Sequence, residues 1–451
     1  MVEDTIVALA TPPGMSALAV IRMSGEDSVK IADKLFSKNL LNAASHTLHF
    51  GKIHDTDGNV TDEVLVSVML APKSYTGENS VEISCHGSMT AVRKIILSLI
   101  ECGARQARAG EFTKRAFLNG KMDLCRSEAV IDIIHSKSEL ALEKGIDQLS
   151  GSISEKINEI RDKTVYLAAA ISSEADFPDE GVSGLTDEFV ESTLTEVIGK
   201  TDRLLETAKT GKYIRDGIAV SLTGRPNAGK SSVLNTLSGE QKAIVTNIPG
   251  TTRDTVEDYI NIGNICVKLM DTAGIRNTDD EVEKIGVSRA RSAAENADLI
   301  LYVADASTPP NSYDIEIIDF IKDKNVVMLL NKEDISSEYA EEYKRLINAP
   351  YIYTSALCGS GFGELKSIIE KMFETGKAAS EVTITNIRHA DALTRASKHL
   401  HAAYEAFGSG VPADFMAVDI EAAVSSFGEI TGMSVSEEIV DTIFKEFCVG
   451  K

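Results

Sequence analysis

Long apolar runs and clustered cysteines are both missing from this 451-residue chain. No apolar stretch approaches the roughly 20 residues that a membrane-spanning helix needs. The six cysteines form no Cys-x-x-Cys pair, which argues against zinc and disulfides and fits a reducing cytosol. The start, Met1 to Asp4, lacks the basic segment of a secretory signal and the arginine-rich character of a transit peptide. We therefore expect a cytoplasmic protein without a membrane span.

Positive charge is also scarce, with 46 Lys and Arg against 68 Asp and Glu and a net charge of -22. Neutralising nucleic-acid phosphates requires clustered basic side chains, so the chain is not expected to wrap a nucleic acid alone. One segment, from Gly103 to Arg126, is an exception because it holds six basic and two acidic residues. Such a run is a solvated helix face or a surface for an anionic ligand or RNA.

Five short motifs stand in order in the second half of the chain. The motifs are Gly224-Arg225-Pro226-Asn227-Ala228-Gly229-Lys230-Ser231, Gly250-Thr251-Thr252-Arg253-Asp254, Asp271-Thr272-Ala273-Gly274, Asn331-Lys332-Glu333-Asp334 and Ser355-Ala356-Leu357. An isolated match to one of them is a weak signal. All five at the ends of strand-like runs, in an alternating β/α pattern, predict a GTP-hydrolysing domain with a parallel sheet.

The first motif follows the strand-like run Ile218 to Leu222 and leads into a helix start at Ser231. Glycines let the backbone wrap phosphates, the helix N-terminus faces the anion, and Lys230 adds a positive charge. Ser231 is expected to hold Mg²⁺ between the β- and γ-phosphates.

The later motifs predict metal positioning and base choice. Asp271 ends the strand-like run Ile265 to Met270, where its carboxylate can orient a metal-bound water, and Gly274 leaves room for the γ-phosphate. Asp334 is an acceptor that matches the paired N1–H and N2–H donors of guanine, a pair that adenine does not offer. GTP is therefore favoured over ATP.

The residue that positions the attacking water is not evident from these motifs. Ras-like enzymes keep a glutamine directly after the Asp-Thr-Ala-Gly motif, whereas this chain has the apolar Ile275. Asn227 offers an oxygen that could hold a monovalent cation where an arginine finger would place its charge. The alternative is that Asn227 makes an ordinary loop hydrogen bond, since asparagine is common in turns.

Periodicity predicts a multidomain α/β plus α protein. Short strands and helices alternate in an α+β pattern up to about residue 120, and a helical pattern follows, interrupted by a loop near Phe177 to Gly181. A second helical stretch follows the GTPase motifs, so the simplest architecture is a discontinuous helical domain with the GTPase inserted. The predicted boundaries are 1–120 (α+β domain), 121–212 (first helical part), 213–378 (P-loop GTPase domain) and 379–451 (second helical part).

Segments outside the GTPase carry a family resemblance. They are Asp4-Thr5-Ile6-Val7-Ala8, Thr11-Pro12-Pro13-Gly14, the run from Gly110-Glu111-Phe112 to Gly120-Lys121, and the terminal Cys448-Val449-Gly450-Lys451. Together with the Gly250 to Asp254 loop, they resemble the MnmE (TrmE) family of tRNA-modification GTPases over essentially the whole chain. Related ribosome-assembly GTPases share the five motifs but not the tail.

The resemblance implies a homodimer joined through N-terminal domains that bind 5-formyl- or 5,10-methylene-tetrahydrofolate as a one-carbon donor. With the FAD-dependent partner MnmG (GidA), in a heterotetramer or larger complex, the family builds an aminomethyl or carboxymethylaminomethyl group on C5 of the wobble uridine (U34) of certain tRNAs. By match to the family pattern, the implied folate contacts are Arg22, Glu82, Lys121 and Lys451. Glu78 is the alternative to Glu82.

The resemblance also implies roles within the GTPase domain. Potassium would be held by Asn227, Thr251 and the carbonyl oxygens of Thr246 and Ile248, and Mg²⁺ by Ser231 and Thr252. Glu283 would orient the attacking water through a second water; read alone, it is a solvated helix carboxylate. The remaining residues implied to contact GTP are Ala228, Gly229, Lys230, Ser232, Asn247, Pro249, Gly250, Asp271, Thr272, Ala273, Gly274, Asn331, Lys332, Asp334, Ser355, Ala356 and Leu357.

Cys448 lies on the last predicted helix, after Phe444 and Phe447. A lone cysteine there is ordinarily a small hydrophobe, while in the family's Cys-x-Gly-Lys tail it lies near the folate pocket and is a candidate catalytic residue. Neighbouring Lys451 could favour its thiolate. Two functions stay open from the residues: a tRNA-modifying enzyme, or a regulatory GTPase switch for ribosome assembly or stress response without modification chemistry of its own.

Overall fold

The computed structural model describes residues 4–176, 186–240, 258–262, 265–270, 294–373, 382–411 and 413–451. The strands in these ranges are β1 (Ile6–Leu9), β2 (Ser16–Ser24), β3 (Thr47–His54), β4 (Val60–Met69), β5 (Ser80–Gly87), β6 (Arg105–Gln106), β7 (Ile218–Thr223), β8 (Asp258–Ile262), β9 (Ile265–Met270), β10 (Leu299–Asp305), β11 (Val326–Asn331) and β12 (Tyr351–Tyr353).

The helices of the described ranges follow the same order along the chain. They are α1 (Ser28–Leu35), α2 (Met89–Glu101), α3 (Glu111–Leu118), α4 (Leu124–His135), α5 (Glu139–Ser150), α6 (Ser152–Asp176), α7 (Asp187–Asp216), α8 (Lys230–Glu240), α9 (Ser312–Ile321), α10 (Ala340–Leu346), α11 (Phe362–Met372), α12 (Ile387–Gly408), α13 (Ala413–Thr431) and α14 (Glu437–Lys445). Within the described ranges, none of these helices combines the length and the hydropathy that crossing a bilayer requires.

The N-terminal unit is a six-stranded sheet in the order β3-β4-β5-β2-β1-β6, with α1 and α2 packed on one face. Its core contains Ile21, Val66 and Ile83 from the strands and Ile95 from α2. The expected α+β pattern is confirmed. Strand β3 has little strand signal in the sequence, because Gly51 lies inside it and the apolar Leu48 and Phe50 are on its exposed side.

The GTPase unit is a second six-stranded sheet in the order β12-β11-β10-β7-β9-β8. Five strands are parallel, and their apolar side chains pack against helices on both faces of the sheet. The predicted parallel sheet is confirmed for these five strands, and β8, a strand that the sequence analysis did not predict, pairs antiparallel with β9 at one edge. Gly263-Asn264, between the two strands in sequence, is the hairpin signal that the prediction missed.

The helical unit combines segments from both sides of the GTPase unit. Helix α12 packs against α13 and α7, and α13 packs against α6. One core joins Leu167 and Leu194 to Leu400 and Phe427, although more than 200 residues separate the two pairs. The expected discontinuous helical domain with an inserted P-loop GTPase is therefore confirmed as a fold class. The exact boundaries stay predictions, and the loop predicted near Phe177 lies outside the described residues.

The first connection between the helical and GTPase units is short and closely packed. Only Gly217 separates α7 from β7, and its φ of 84° is left-handed. A Cβ atom there would lie 3.0 Å from the carbonyl oxygen of Cys266 on β9. Lys137, in the turn between α4 and α5, places its Nζ atom 3.3 Å from the ring centroid of Tyr259 on β8. The helical unit thus contacts the β8–β9 hairpin from two directions.

Candidate functional site

The phosphate loop spans residues 224–229, between the end of β7 and the start of α8. Gly224 has a φ of 153°, and a Cβ atom there would lie 2.3 Å from the carbonyl oxygen of Val303 on β10. Asn227 is exposed with a φ of 63°, a left-handed conformation that asparagine tolerates better than most residues. The left-handed conformation is a physical reason for an asparagine at position 227, in line with the alternative that Asn227 has an ordinary role in the loop. Both residues keep the loop tightly curved at the helix N-terminus.

Lys230 opens α8 and folds back onto its own loop. Its Nζ atom donates to the carbonyl oxygens of Gly224 (2.7 Å) and Arg225 (2.8 Å). Burial lowers the pKa of Lys230 to about 8, against only a small opposing effect of Asp314. The ammonium group of Lys230 therefore lies against the backbone of the loop that is predicted to bind the phosphates. Ser231 and Ser232 follow it on the exposed first turn of α8.

Asn331 connects the phosphate loop to the predicted base-binding motifs. Its Nδ2 atom donates to the carbonyl oxygen of Ala228 (2.9 Å), and its Oδ1 atom accepts from the backbone N–H of Ala356 (3.2 Å). A Cβ atom on Gly229 would lie 2.2 Å from that Nδ2 atom, so only glycine fits beside the buried amide. One side chain thus holds together three of the five motifs.

The base-recognition residues lie at the carboxyl ends of β11 and β12. Lys332 has a φ of 66°, and its Nζ atom donates to Asp305 Oδ2 (2.7 Å) at the end of β10. Asp334 and Leu357 are exposed, whereas Ser355 is buried and its Oγ atom accepts from the N–H of Cys358. The structure brings these residues to the same edge of the sheet as the phosphate loop, where nucleotides bind open α/β sheets.

Several predicted site residues lie outside the described residues. They are Thr246, Asn247, Ile248, Pro249, Gly250, Thr251, Thr252, Asp271, Thr272, Ala273, Gly274 and Glu283. Their predicted contacts with GTP, Mg²⁺, K⁺ and the attacking water stay predictions.

Nucleotide binding is expected to take up protons at alkaline pH. A bound phosphate favours the charged form of Lys230 and raises its pKa above the value of about 8 in the free protein. At pH 8 about half of the free lysines are neutral, so binding GDP takes up about half a proton, and affinity falls as pH rises from 7.5 to 9.5. Calorimetric titration in two buffers of different ionisation enthalpy measures this uptake. Zero uptake across that range would contradict the expectation.

A second cluster of charges lies on the N-terminal sheet. Arg22 on β2 faces Glu82 on β5, and its Nε and Nη2 atoms lie 2.8 and 2.7 Å from Glu82 Oε1. The guanidinium group lies 5.6 Å from the ring centroid of Tyr75 and 5.8 Å from that of Phe112. Sequence reasoning missed both aromatic residues as members of this site. A half-buried ion pair beside the partly exposed ring of Tyr75 can bind a flat, polar, anionic molecule.

The C-terminal tail completes this cluster. The Nη1 atom of Arg22 donates to the carbonyl oxygen of Gly450 (3.3 Å), and the N–H of Phe112 donates to that of Lys451 (3.2 Å). Val449 pairs with Ala109 just before α3. A Cβ atom on Gly450 would lie 2.3 Å from the carbonyl oxygen of Leu9, so the tail lies tightly against β1.

Lys451 and Cys448 both belong to this tail. Burial lowers the pKa of Lys451, and the nearby charge of Arg22 lowers it further, while Glu82 and Cys448 oppose both effects. The predicted helical position of Cys448 is wrong. Helix α14 ends at Lys445, and Cys448 lies beyond it with an exposed side chain, because the chain turns to pair with Ala109.

Glu78 and Lys121 occupy different surroundings from Arg22. Glu78 accepts from Ser24 (2.7 Å) and from the buried Arg115 (3.1 Å), so its carboxylate is already part of an internal network. Lys121 is exposed and donates to the carbonyl oxygen of Pro72 (3.1 Å), in the loop that carries Tyr75. Of the two glutamates, Glu82 is therefore the one that pairs with Arg22. Lys121 contacts the loop that carries Tyr75.

The basic segment from Gly103 to Arg126 mostly forms internal contacts. Arg105 pairs with Asp4 and Glu111, and Lys114 pairs with Asp441 on α14. The Nε atom of Arg126 donates to the carbonyl oxygen of Leu149 (2.9 Å). Charges in such contacts contribute to the packing of α3 and α4 rather than to a continuous surface for RNA.

A phosphate loop between a strand and a helix, joined through Asn331 to a guanine-type Asn-Lys-x-Asp motif, defines a P-loop GTPase. Two family models match the chain: "GTP-binding protein TrmE N-terminus" over residues 5–121 and "MnmE helical domain" over residues 124–448. The chain belongs to the MnmE (TrmE) family of tRNA-modification GTPases, as the resemblance predicted.

Full-length relatives carry the same family name. The chain is 43% identical over 458 residues to the tRNA modification GTPase MnmE of Clostridioides difficile (strain 630), and the match covers 100% of both chains. It is 43% identical over 460 residues to the tRNA modification GTPase MnmE of Lachnoclostridium phytofermentans, again over 100% of both. The predicted enzyme class, a GTP hydrolase that takes part in tRNA modification, is confirmed.

Two solved structures match a shorter part of the chain. The G domain of the T. maritima FeoB iron transporter is 26% identical over 34% of this chain and 97% of its own, with a TM-score of 0.26. Era, in complex with MgGDPNP and nucleotides of 16S ribosomal RNA, is 27% identical over 40% of this chain and 65% of its own, also with a TM-score of 0.26.

Proposed function

We propose that this chain is a potassium-dependent GTPase that acts with an FAD-dependent partner and a tetrahydrofolate one-carbon donor on tRNA. Together they install an aminomethyl or carboxymethylaminomethyl group at C5 of the wobble uridine. The observation that carries the proposal is the cluster of Arg22, Glu82 and Lys451, in which the Arg22 guanidinium group lies near the rings of Tyr75 and Phe112.

The chemistry of this cluster fits a folate. The cations of Arg22 and Lys451 suit the carboxylates of a folate's glutamate tail, and Glu82 can accept from a pterin's amino group and ring N–H. Tyr75, which is partly exposed, offers an apolar face for a flat ring, and the fully buried Phe112 packs beneath the Arg22 guanidinium group. Bound tetrahydrofolate would supply a carbon at the oxidation level of formaldehyde or formate, while these side chains would bind and orient it. Cys448 is in the same C-terminal tail as Lys451, and Lys121 contacts the loop that carries Tyr75, so both remain candidates for the site.

The N-terminal sheet also supports a homodimer. Strand register places Arg22, Glu82, Ser67 and Leu48 in one cross-strand row of the face opposite α1 and α2. The next row contains Leu65 and Phe50, and Leu18 follows; the exposed apolar side chains are Leu18 (63% exposed), Leu48 (60%), Phe50 (58%) and Leu65 (38%). An apolar sheet face of this kind is suited to pairing with a second copy, next to the proposed folate site.

Metal use in the GTPase domain follows from the family resemblance. Asn227, Thr246, Ile248 and Thr251 would hold K⁺, Ser231 and Thr252 would hold Mg²⁺, and Glu283 would orient the attacking water in place of Ile275. The exposed position of Asn227 on the phosphate loop is compatible with a cation ligand. Equal GTP turnover in potassium and sodium chloride would refute the potassium part.

The decisive experiment compares wobble-position nucleosides by mass spectrometry in tRNA from cells that lack the protein and from cells that regain it. We expect the C5-aminomethyl-type uridines to disappear and return with the wild type, and to stay absent with Arg22→Ala. Arg93→Ala, an exposed arginine on α2, is the matched control and should restore them.

Binding of 5-formyltetrahydrofolate to the purified variants tests the folate part directly. The Arg22→Ala variant should bind more than about tenfold more weakly than Arg93→Ala, because it loses a charge-assisted contact. Unchanged nucleosides on deletion would favour a regulatory GTPase switch instead. Restored nucleosides with undiminished folate binding in Arg22→Ala would place the donor elsewhere.

A further inference from the structure

A buried group of charges lies beneath the two nucleotide-binding loops of the GTPase unit. Two carboxylates form its centre: Asp305 at the end of β10, and Asp314 in the first turn of α9. Asp314 is 0% exposed and Asp305 is 5% exposed. Neither belongs to the five motifs, and of the two only Asp305 has a contact described above, with Lys332 of the guanine motif.

Asp314 is held by neutral donors and by one cation among the described residues. Its oxygens accept from the hydroxyls of Tyr302 (2.8 Å) and Tyr343 (3.2 Å) and from the N–H of Asn311 (3.1 Å). The Nη1 atom of Arg225 lies 3.5 Å from Asp314 Oδ2. A buried carboxylate needs such a positive partner, because desolvation otherwise penalises its charge.

Asp305 lies between cations from the two nucleotide-binding loops. Its Oδ2 atom accepts from Lys332 Nζ at 2.7 Å and lies 3.5 Å from Arg225 Nη2. Its Oδ1 atom accepts from the hydroxyl of Ser307 (2.6 Å). Lys332 comes from the guanine motif and Arg225 from the phosphate loop, so one carboxylate contacts both.

The guanidinium group of Arg225 is therefore held on several sides. Besides the two carboxylates, it donates to the hydroxyl of Thr308 and to the carbonyl oxygen of Pro309 (3.3 Å). The same residue's backbone carbonyl is one of the two that receive Lys230 Nζ. The contacts that hold the side chain of Arg225 therefore also position its carbonyl oxygen, which accepts the hydrogen bond from Lys230 Nζ.

We infer that Arg225 is a positioning residue for nucleotide binding and GTP hydrolysis. Its planar fork anchors the phosphate loop to Asp314 and Asp305 and thereby sets the phosphate loop and the guanine loop at a fixed separation. Arg225 itself does not contact the nucleotide in this arrangement; it acts through Lys230 and the loop backbone. The inference rests on the proposed nucleotide site.

Two substitutions separate positioning from simple charge neutralisation. Arg225→Ala should raise the Kd for GDP and GTP by roughly 10- to 100-fold, since small displacements of binding groups have effects of that size. Arg225→Lys keeps a positive charge near Asp314 but cannot reach both carboxylates, Thr308 and Pro309 with a rigid fork. We expect Arg225→Lys to recover the wild-type melting temperature without nucleotide while its Kd for GDP stays at least about fivefold raised.

The measurements use the full-length chain, with GDP binding by calorimetry and melting by circular dichroism. Arg345→Ala, an exposed arginine on α10, is the control and should bind GDP like the wild type. Wild-type affinity in Arg225→Lys would overturn the inference, because a purely structural role needs only the charge. Loss of melting temperature in Arg225→Ala without loss of affinity would overturn it as well.

Two further variants identify which proposal has failed. Lys230→Ala and Asp334→Asn alter the proposed nucleotide contacts themselves, so wild-type GDP binding in both would refute the site. If both lose affinity while Arg225→Lys and Asp305→Asn keep it, only the positioning role fails. Should Arg225→Ala not fold, Arg225→Lys and Asp305→Asn still decide the question.

Discussion

Asp334→Asn is expected to lower GTP affinity by roughly 100- to 1,000-fold and to make xanthosine triphosphate the better ligand. The carboxylate accepts two hydrogen bonds from guanine, whereas an amide offers one acceptor and one donor. Xanthine presents one donor and one acceptor at the same edge, so it matches the amide. Asp334 is exposed at the carboxyl end of β11, where a bound base can reach it.

Competition binding with GDP and xanthosine diphosphate measures this exchange. Glu333→Gln removes a neighbouring exposed carboxylate from the same motif and serves as the control, with guanine preference unchanged. If Asp334→Asn retains wild-type GDP affinity, the base is recognised by another group.

Glu128→Ala is expected to lower the free energy of unfolding of the helical unit by about 3–5 kcal/mol, because it removes the carboxylate partner of Arg388 and the hydrogen-bond partner of the buried His389 Nε2 atom. Glu128 on α4 is 4% exposed. Its carboxylate accepts from Arg388 Nη2 (2.6 Å) and Nε (2.8 Å) and lies 2.7 Å from Nε2 of the fully buried His389. Burial alone would raise the pKa of Glu128, but His389 and Arg388 outweigh it and lower the pKa to about 2.

Denaturant unfolding followed by circular dichroism, with saturating GDP to hold the GTPase unit folded, measures the loss. Glu429→Ala is the matched control, because Glu429 forms the more exposed pair with Arg395 and should cost about 1 kcal/mol or less. Since the folded pKa of Glu128 is depressed, its contribution is complete above pH 4.5 and is lost as pH falls toward 2. The difference in unfolding free energy between the wild type and Glu128→Ala should therefore shrink as pH falls. Equal losses of unfolding free energy in Glu128→Ala and Glu429→Ala would contradict the stabilising role of the contacts between Glu128, Arg388 and His389.

Local sequence signals sufficed for the GTPase motifs, because glycines, Lys230 and Asp334 occupy fixed positions relative to neighbouring strand ends. The same signals could not find Asp314, which contacts Arg225 from 89 residues away in the chain, or Tyr343, whose hydroxyl donates to Asp314. No periodicity marks such partners. They become visible only when the strand order brings β7 and β10 together.

The N-terminal cluster shows a similar limit. Arg22 and Glu82 were assigned through the family resemblance, and their pairing depends on the register between β2 and β5. Tyr75 and Phe112 had no signal of their own, since a tyrosine in a loop and a phenylalanine in a helix are ordinary core residues. For Cys448, the apolar spacing of Phe444 and Phe447 extended the predicted helix too far, because the backbone pairing of Val449 ends it earlier.

The direct junction of α7 and β7 has a mechanical consequence. Helix α7 contains 30 residues and is therefore a rod about 45 Å long. It joins an inner strand of the GTPase sheet with a single glycine between them. At this connection, the two units can turn relative to each other only through the two backbone torsions of Gly217, which is packed against Cys266. Because no flexible linker separates the two elements, a rotation of β7 is expected to rotate α7 with it.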